Sequence, residues 1–270
     1  MSLFLINSQI ILVISSPSSS TTGFLTFIFA MLLVNLRKCV IYKSKNLINY
    51  NLMLEIIFPK IHKEGIKILT ITLSINFLVF FISETLGLLL IIINIWVYYF
   101  FRDPDRVSIG DDNYLVSPAD GKISMITECN GPQEIGMEEK IFTRVSVFMN
   151  VFNCHVNRVP TKCDIEEIFY KPGKFINASL DKASEHNERN ILKVKGKNGD
   201  EFAIVQIAGL VARRIVCETD VGKELNQGDR FGIIRFGSRV DLYFDSSYEL
   251  FAKTGQTSCC PANPLLAKKK

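Results

Sequence analysis

The sequence predicts an α+β chain that is mainly β: a β-rich, sandwich- or barrel-like domain preceded by a hydrophobic helical hairpin. Three observations carry this expectation. Two apolar runs, 68–82 and 86–101, stand side by side with basic residues at both outer ends. From residue 102 onward, short runs of β-formers are separated by Pro, Gly and Asp-Gly turn signals. Neither a 20–50-residue repeat nor a Walker motif or GxGxxG points to another architecture.

Composition bounds the function classes. With 270 residues, the chain has room for one good-sized domain and an attachment. Its net charge of +4 suits an anionic membrane surface. No RNA- or DNA-binding signature accompanies it, so no nucleic-acid partner is expected. The seven cysteines are odd in number and lack CxxC spacing. Neither a disulfide framework nor a metal site is expected, and a reducing compartment fits. Cys154 is read as a buried thiol rather than a nucleophile.

Residues 1–52 form an N-terminal extension with a Ser-rich patch at 15–22 and an apolar run at 24–36. No positive region precedes a signal-like core. Met53 opens the amphipathic stretch MLEIIFPKIHKEG, so translation is expected to begin there. Residues 53–105 are read as the membrane-associating hairpin. Each run is slightly shorter than the roughly 20 residues that cross a bilayer. Lys60, Lys63 and Lys67 precede the first run, and Arg102 and Arg106 follow the second. Trp96, Tyr98 and Tyr99 near that end resemble an interfacial belt. With both basic ends on one side, the chain is expected at the cytoplasmic face of the cell membrane, peripheral or hairpin-anchored. The alternative is a buried pair of core helices.

Residues 106–270 are read as the soluble domain. Strands are expected at 114–116, 122–126, 142–152, 202–210, 212–217, 233–236 and 240–244. The polar stretch 173–188 reads as a loop or short helix, and Gly237-Ser238-Arg239 reads first as a turn. Of the three histidines, His62 sits in the basic lead to the hairpin and reads as interfacial; His186 reads as solvated. His155 closes an apolar run before a Pro-marked turn. Asp120, in SPADG, and Ser238, in FGSRV, have ordinary turn explanations taken singly. Together with His155 they supply an acid, a base and a hydroxyl: Asp120 to fix the imidazole tautomer, His155 to take a proton, and Ser238 to attack.

The blocks VSPADGKI, FMNVFNCHVNRVP, QIAGLVARRIV and GIIRFGSRVDLYF stand in this order behind a hairpin ending YFFRDP. From about residue 53 to about 256 the chain resembles the short bacterial form of phosphatidylserine decarboxylase. The resemblance implies a self-processing proenzyme. Ser238 Oγ attacks the carbonyl of Gly237, an N→O shift gives an ester, and β-elimination cuts the chain. The dehydroalanine left at residue 238 hydrolyses, with loss of ammonia, to a pyruvoyl group, the covalent cofactor. A β chain, 1–237, and an α chain from 238 result. Asp120 and His155 map onto the family's triad. The pyruvoyl ketone then forms a Schiff base with phosphatidylserine and acts as the electron sink for decarboxylation to phosphatidylethanolamine, with His155 returning the proton. Gly237 suits the junction because no Cβ shields its carbonyl.

Arg102 and Arg106 are read as weak attractors of the anionic headgroup. Assembly into a homo-oligomer is left open. Phe236-Gly237-Ser238-Arg239 differs from the Leu-Gly-Ser-Thr of the larger class, as short forms do. Beyond GQT the sequence CCPANP, with prolines at 261 and 264, breaks strand character. The α chain is therefore expected to be degenerate at its end or to lack the family's last strand. Two rival readings remain open at this point: an unprocessed Ser-His-Asp lipid hydrolase, although GxSxG is absent, and a membrane-anchored β module without processing.

Overall fold

The computed structural model describes residues 57–173, 186–209, 214–235, 238–258 and 265–270, and the backbone of two short strands near the N-terminus. Those strands, β1 (Ser2–Ile6) and β2 (Gln9–Val13), form an antiparallel pair. The rest of the expected N-terminal extension lies outside the described residues, as does the 174–185 portion of the polar stretch.

The two apolar runs fold as helices α1 (Lys63–Ile82) and α2 (Glu84–Phe100). Ser83 is the whole connection: it caps the end of α1, and its hydroxyl accepts from Leu86 N at 3.4 Å to start α2. Gly87 lets the helices close up, since a Cβ there would sit 2.5 Å from the Phe80 ring. Asn76 and Asn94, polar and buried in the hairpin, face each other. With the Asn76 amide oriented to satisfy it, its oxygen accepts from Asn94 Nδ2 at 2.7 Å and its nitrogen donates to Gly87 O at 3.2 Å. The outward side chains Phe77, Leu78, Phe81, Ile82 and Ile92 are exposed. Such a continuous apolar surface is not one that water stabilises. By length and composition α1 can cross a membrane; α2 is shorter.

The hairpin closes at its base. Ile61 bridges Arg102, His62 N donates to Phe101 O at 2.8 Å, and Asp103 N donates to Lys60 O at 2.6 Å. His62 is not interfacial as its Lys-rich neighbourhood led us to expect; it is 4% exposed. Its Nδ1 accepts from Glu64 N, so Nε2 carries the proton and donates to Glu218 at 3.1 Å. The partner that draws it inside lies 156 residues away in the sequence.

The remaining strands are β3 (Tyr114–Val116), β4 (Gly121–Asn130), β5 (Ile141–Met149), β6 (Val156–Arg158), β7 (Cys163–Lys171), β8 (Arg189–Gly196), β9 (Glu201–Ala208), β10 (Ile215–Cys217), β11 (Glu224–Leu225), β12 (Arg230–Ile234), β13 (Ser238–Phe244), β14 (Tyr248–Leu250), β15 (Thr257–Ser258) and β16 (Leu265–Lys269). An eight-stranded antiparallel sheet runs β11-β7-β8-β9-β13-β5-β4-β15. Two three-stranded sheets, β10-β12-β6 and β14-β16-β3, complete the domain. The mainly-β fold with a helical hairpin before it is thus the observed one. Alternation along β13 and β9 sends Val240, Leu242, Ile204 and Phe202 into one core, and Tyr243, Ala203, Val205 and Ile207 into a second core on the other face. A third cluster, Val97, Phe100 and Phe101 with Cys154, Val156 and Ile233, seats the hairpin on the domain.

Two expectations about the C-terminal part are corrected. Ser238 and Arg239 are not turn residues: both are wholly buried in β13, paired to β5 and β9. A last strand is also present. β16 pairs with β14 and β3, and the two prolines precede it, outside the described residues.

Candidate active site

β13 opens at Ser238, between Met149 at the end of β5 and Ala208 at the end of β9. A strand flanked on both sides has its side-chain directions set by two ladders. Ser238 shares a face with Val240 and Leu242, so its hydroxyl looks into the main core. Its Oγ has one neighbour of note, Met149 Sδ at 4.0 Å, a distant and weak acceptor. Phe236 and Gly237, the other side of the expected junction, lie outside the described residues.

β12 runs toward that junction, and its last residue, Ile234, has its N–H 3.4 Å from His155 O. His155 therefore lies beside the chain that leads to Ser238. It is fully buried and stacked on Phe100 of α2, ring centroids 4.2 Å apart. Its Nδ1 is 2.9 Å from Asn153 O. A carbonyl can only accept, so Nδ1 carries the proton and Nε2 is the free base form. Nε2 is buried without a hydrogen-bond partner among the described residues. Burial, helped by the Arg102 charge and opposed by the Asn153 bond, lowers the His155 pKa to about 3. The ring is neutral at physiological pH and can take a proton only where a second charge offsets the imidazolium.

Asp120 follows Ala119 in the turn between β3 and β4. Arg106 Nη2 donates to Asp120 Oδ2 at 2.8 Å, and the pair is largely buried. Among the described residues the His155 ring has one hydrogen bond, to Asn153 O, which sets this tautomer. Asp120 is still a neighbour of the His155 segment, because with burial it raises the Cys154 thiol to about 11. That value keeps Cys154 a thiol, as read from the sequence. Arg102 donates to Tyr99 O at 2.6 Å and to Phe152 O at 2.9 Å. Both expected headgroup arginines thus sit at the base of the hairpin with bonds inside the protein, and Arg106 is engaged by the acid itself.

Sequence reading missed three amides. Asn190 Nδ2 donates to Gln206 Oε1 at 3.0 Å, Gln206 Nε2 donates to Asn157 Oδ1 at 2.8 Å, and Asn157 Nδ2 points at Met149 Sδ, 3.6 Å away. The signal was available: Gln206 is the one polar residue in AIVQIA, and Asn157 interrupts HVNRV. The chain of amides ends on the same sulfur as Ser238 Oγ.

The opposite face of the sheet carries different chemistry. Arg239 and Asp241 form a fully buried ion pair at 2.8 Å there. A cavity of about 430 Å³ also opens on that side, lined by Arg144, Glu134, Arg189 and Tyr243 among others. It does not include Ser238, His155 or Asp120.

The family model for phosphatidylserine decarboxylase matches residues 93–261. A phosphatidylserine decarboxylase proenzyme of Pelagibacter ubique is 57% identical over 217 residues, covering 80% of this chain and all of that relative. The corresponding proenzyme of Ruegeria pomeroyi is 50% identical over 205 residues, 76% of this chain and 94% of the relative. That of Rickettsia typhi is 46% identical over 202 residues, 75% and 87% respectively. On a model match over more than half its length, and relatives this similar, the chain belongs to the phosphatidylserine decarboxylase family of enzymes.

Proposed function

We propose that this chain is made as a precursor, cuts itself between Gly237 and Ser238, and then converts phosphatidylserine to phosphatidylethanolamine and CO2 at a membrane surface. The observation that carries the reading is the state of residue 238. Among the described residues its buried hydroxyl meets only a thioether, and His155, whose backbone carbonyl meets the last residue of the strand that leads to residue 238, has its unprotonated Nε2 without a partner. A buried polar group left this poorly satisfied asks for a functional account.

The chain's own residues supply the first steps. His155 Nε2 takes the Ser238 hydroxyl proton as Oγ attacks the Gly237 carbonyl, then returns it to the departing amide nitrogen. Asp120 supplies negative charge to the neighbourhood in which the imidazolium forms. Elimination leaves dehydroalanine at 238, and its hydrolysis by water with loss of ammonia leaves the pyruvoyl group. The site fits such a group, since the side chain of residue 238 lies beside Met149 Sδ, at which the under-used donor Asn157 Nδ2 also points. The group would supply a ketone that condenses with the substrate amine and takes up the electron pair left as CO2 departs. The small chain from 238 would stay bound to the β chain through its ladders. The proenzyme names of the relatives agree with such a precursor.

The hairpin gives the substrate's acyl chains a place. Phe100, at its base, stacks on His155, so the site lies where the apolar helices end and the headgroup plane would begin. Arg102 at that level, bonded to carbonyls and so still a net cation, would favour an anionic headgroup, whereas Arg106 is neutralised by Asp120. An unprocessed lipid hydrolase is the weaker reading, because the relatives are named proenzymes.

Intact masses of the purified protein, wild type beside Ser238→Ala, test the proposal. Two wild-type chains, the smaller beginning with a pyruvoyl at 238, and one uncut Ser238→Ala chain are expected. Decarboxylation of phosphatidylserine vesicles should follow the cut. A single uncut chain in both samples would end the reading.

A further inference from the structure

The three amides between β8, β9 and β6 are built to hold one of them in a fixed orientation. Asn190 and Gln206 face each other across β8 and β9. Gln206 must then reach across to β6, in a different sheet. Gly232 on β12 permits this: a Cβ there would sit 3.2 Å from Gln206 Nε2, and 2.3 Å from Val216 O. Each amide donates to the next, so Asn157 Oδ1 is committed to Gln206 and its Nδ2 is directed at Met149 Sδ. Asn157, Gln206 and Ser238 are 0% exposed and Asn190 is 2%. A strong donor, fully buried and oriented by two others, thus ends on a weak acceptor that Ser238 Oγ shares. Sulfur satisfies an amide N–H poorly, and burying a donor in that condition destabilises the fold. A core built for stability alone would carry an apolar residue at 157.

We infer that Asn157 is a catalytic residue of the self-cutting reaction, donating its Nδ2 hydrogen to Ser238 Oγ as that oxygen departs in the elimination step. Gln206 and Asn190 are positioning residues for it. This rests on the self-processing reading above. In the ester, Oγ joins Cβ of residue 238 to the carbonyl of Gly237. The proton on Cα passes to a base, for which the neutral His155 imidazole is available. The C–H electron pair becomes the Cα=Cβ bond, the Cβ–Oγ bond breaks, and its pair leaves on Oγ as part of the Gly237 carboxylate. In this step Oγ departs with the bonding pair and the charge of the leaving group stays on the carboxylate it joins, and a preoriented donor in a water-free site acts most strongly on charge that is forming. The preceding N→O shift forms the charge on the Gly237 carbonyl oxygen instead. Removing Asn157 should therefore stall the precursor at the ester rather than before it.

The experiment uses the full chain with Asn157→Asp, nearly isosteric, and Asn157→Ala, followed by mass. Cutting should slow on the order of 100-fold, the usual effect of losing one such donor. The uncut protein should be split at 237–238 by hydroxylamine, which attacks esters, releasing a small chain that begins with an unmodified Ser238. Gln206→Met should slow cutting less and accumulate the same hydroxylamine-labile species. Ser238→Ala, which cannot form the ester, is the resistant control. Cutting at the wild-type rate in both Asn157 variants would overturn the inference. So would folded, uncut variants as resistant to hydroxylamine as Ser238→Ala. An uncut wild-type chain would remove the self-processing reading itself, an outcome distinct from either.

Discussion

Replacing His155 by Asn should change how the protein responds to acid, by an amount the structure fixes. His155 is wholly buried, stacked on Phe100, and among the described residues holds one hydrogen bond, through Nδ1–H. Burial lowers its pKa to about 3, against 6.5 for the unperturbed side chain. Between these values the unfolded chain binds a proton that the folded chain refuses. Stability therefore rises with pH across the interval and is lost on acidification, beginning below 6.5 and complete near 3. At pH 4.5 the unfolded histidine is two units below its pKa and the folded one still neutral, so the loss is about 3 kcal/mol at 1.36 kcal/mol per unit.

The comparison is best made in the uncut Ser238→Ala precursor, so that processing does not enter. Urea unfolding in detergent, with and without His155→Asn, would be followed at pH 7.5 and pH 4.5. The cavity beside Phe100 weakens the variant equally at both pH values, and carboxylates elsewhere titrate alike in both proteins. The difference of differences isolates the imidazole. The protein that retains His155 should lose about 3 kcal/mol more than the His155→Asn variant. Equal losses would mean that His155 is hydrated or charged in the folded state, and the assignment of a neutral Nε2 base would fall with it.

Two other perturbations test the frame around the site. Gly232→Ala forces a methyl to within 2.3 Å of Val216 O, so β10 and β12 must part. A loss of about 1–3 kcal/mol in unfolding free energy is expected, with slower cutting because Gln206 loses its path to Asn157; an unchanged unfolding midpoint would contradict the packing. Phe77→Lys puts a charge on an outward position of α1 that is 66% exposed. If that surface lies in lipid, the cost of about 3 kcal/mol should reduce vesicle partitioning on the order of 100-fold. Unaltered flotation with vesicles would show that α1 does not enter them.

The hairpin was legible because its signal is local: two apolar runs and their basic flanks need no distant contact to be recognised. The β character was legible for the same reason. What failed was what tertiary contact decides. Gly237-Ser238-Arg239 has turn composition, yet Ser238 and Arg239 lie in a strand because β5 and β9 bracket them on both sides. His62 reads as a surface residue until Glu218 is brought to it. The sequence also gives no sign that Arg106 meets the Asp120 carboxylate or that Asn153 O meets the His155 imidazole, contacts that only the fold makes. The amide chain is intermediate. Its polar residues stand out within apolar runs, but three strands from two sheets must meet before they form a path.

The same placement explains how the proposed cut can occur inside a core without destroying it. From Ser238 to Phe244, β13 holds seven residue pairs with β5 and six with β9. β16 ties the far end of the small chain to β3 of the large one. Breaking one peptide bond at the mouth of β13 removes none of these ladders. On the other side of the junction, β12 is retained through β10 and β6, and Arg235 is ion-paired to Glu64 at the start of α1. Each new end is therefore anchored independently, the upstream one to the hairpin and the downstream one to the sheet. The hydroxyl at 238 can lie in a strand paired on both sides, where two ladders hold its orientation, because the segment that must yield on cutting is only the link between two separately fixed strands.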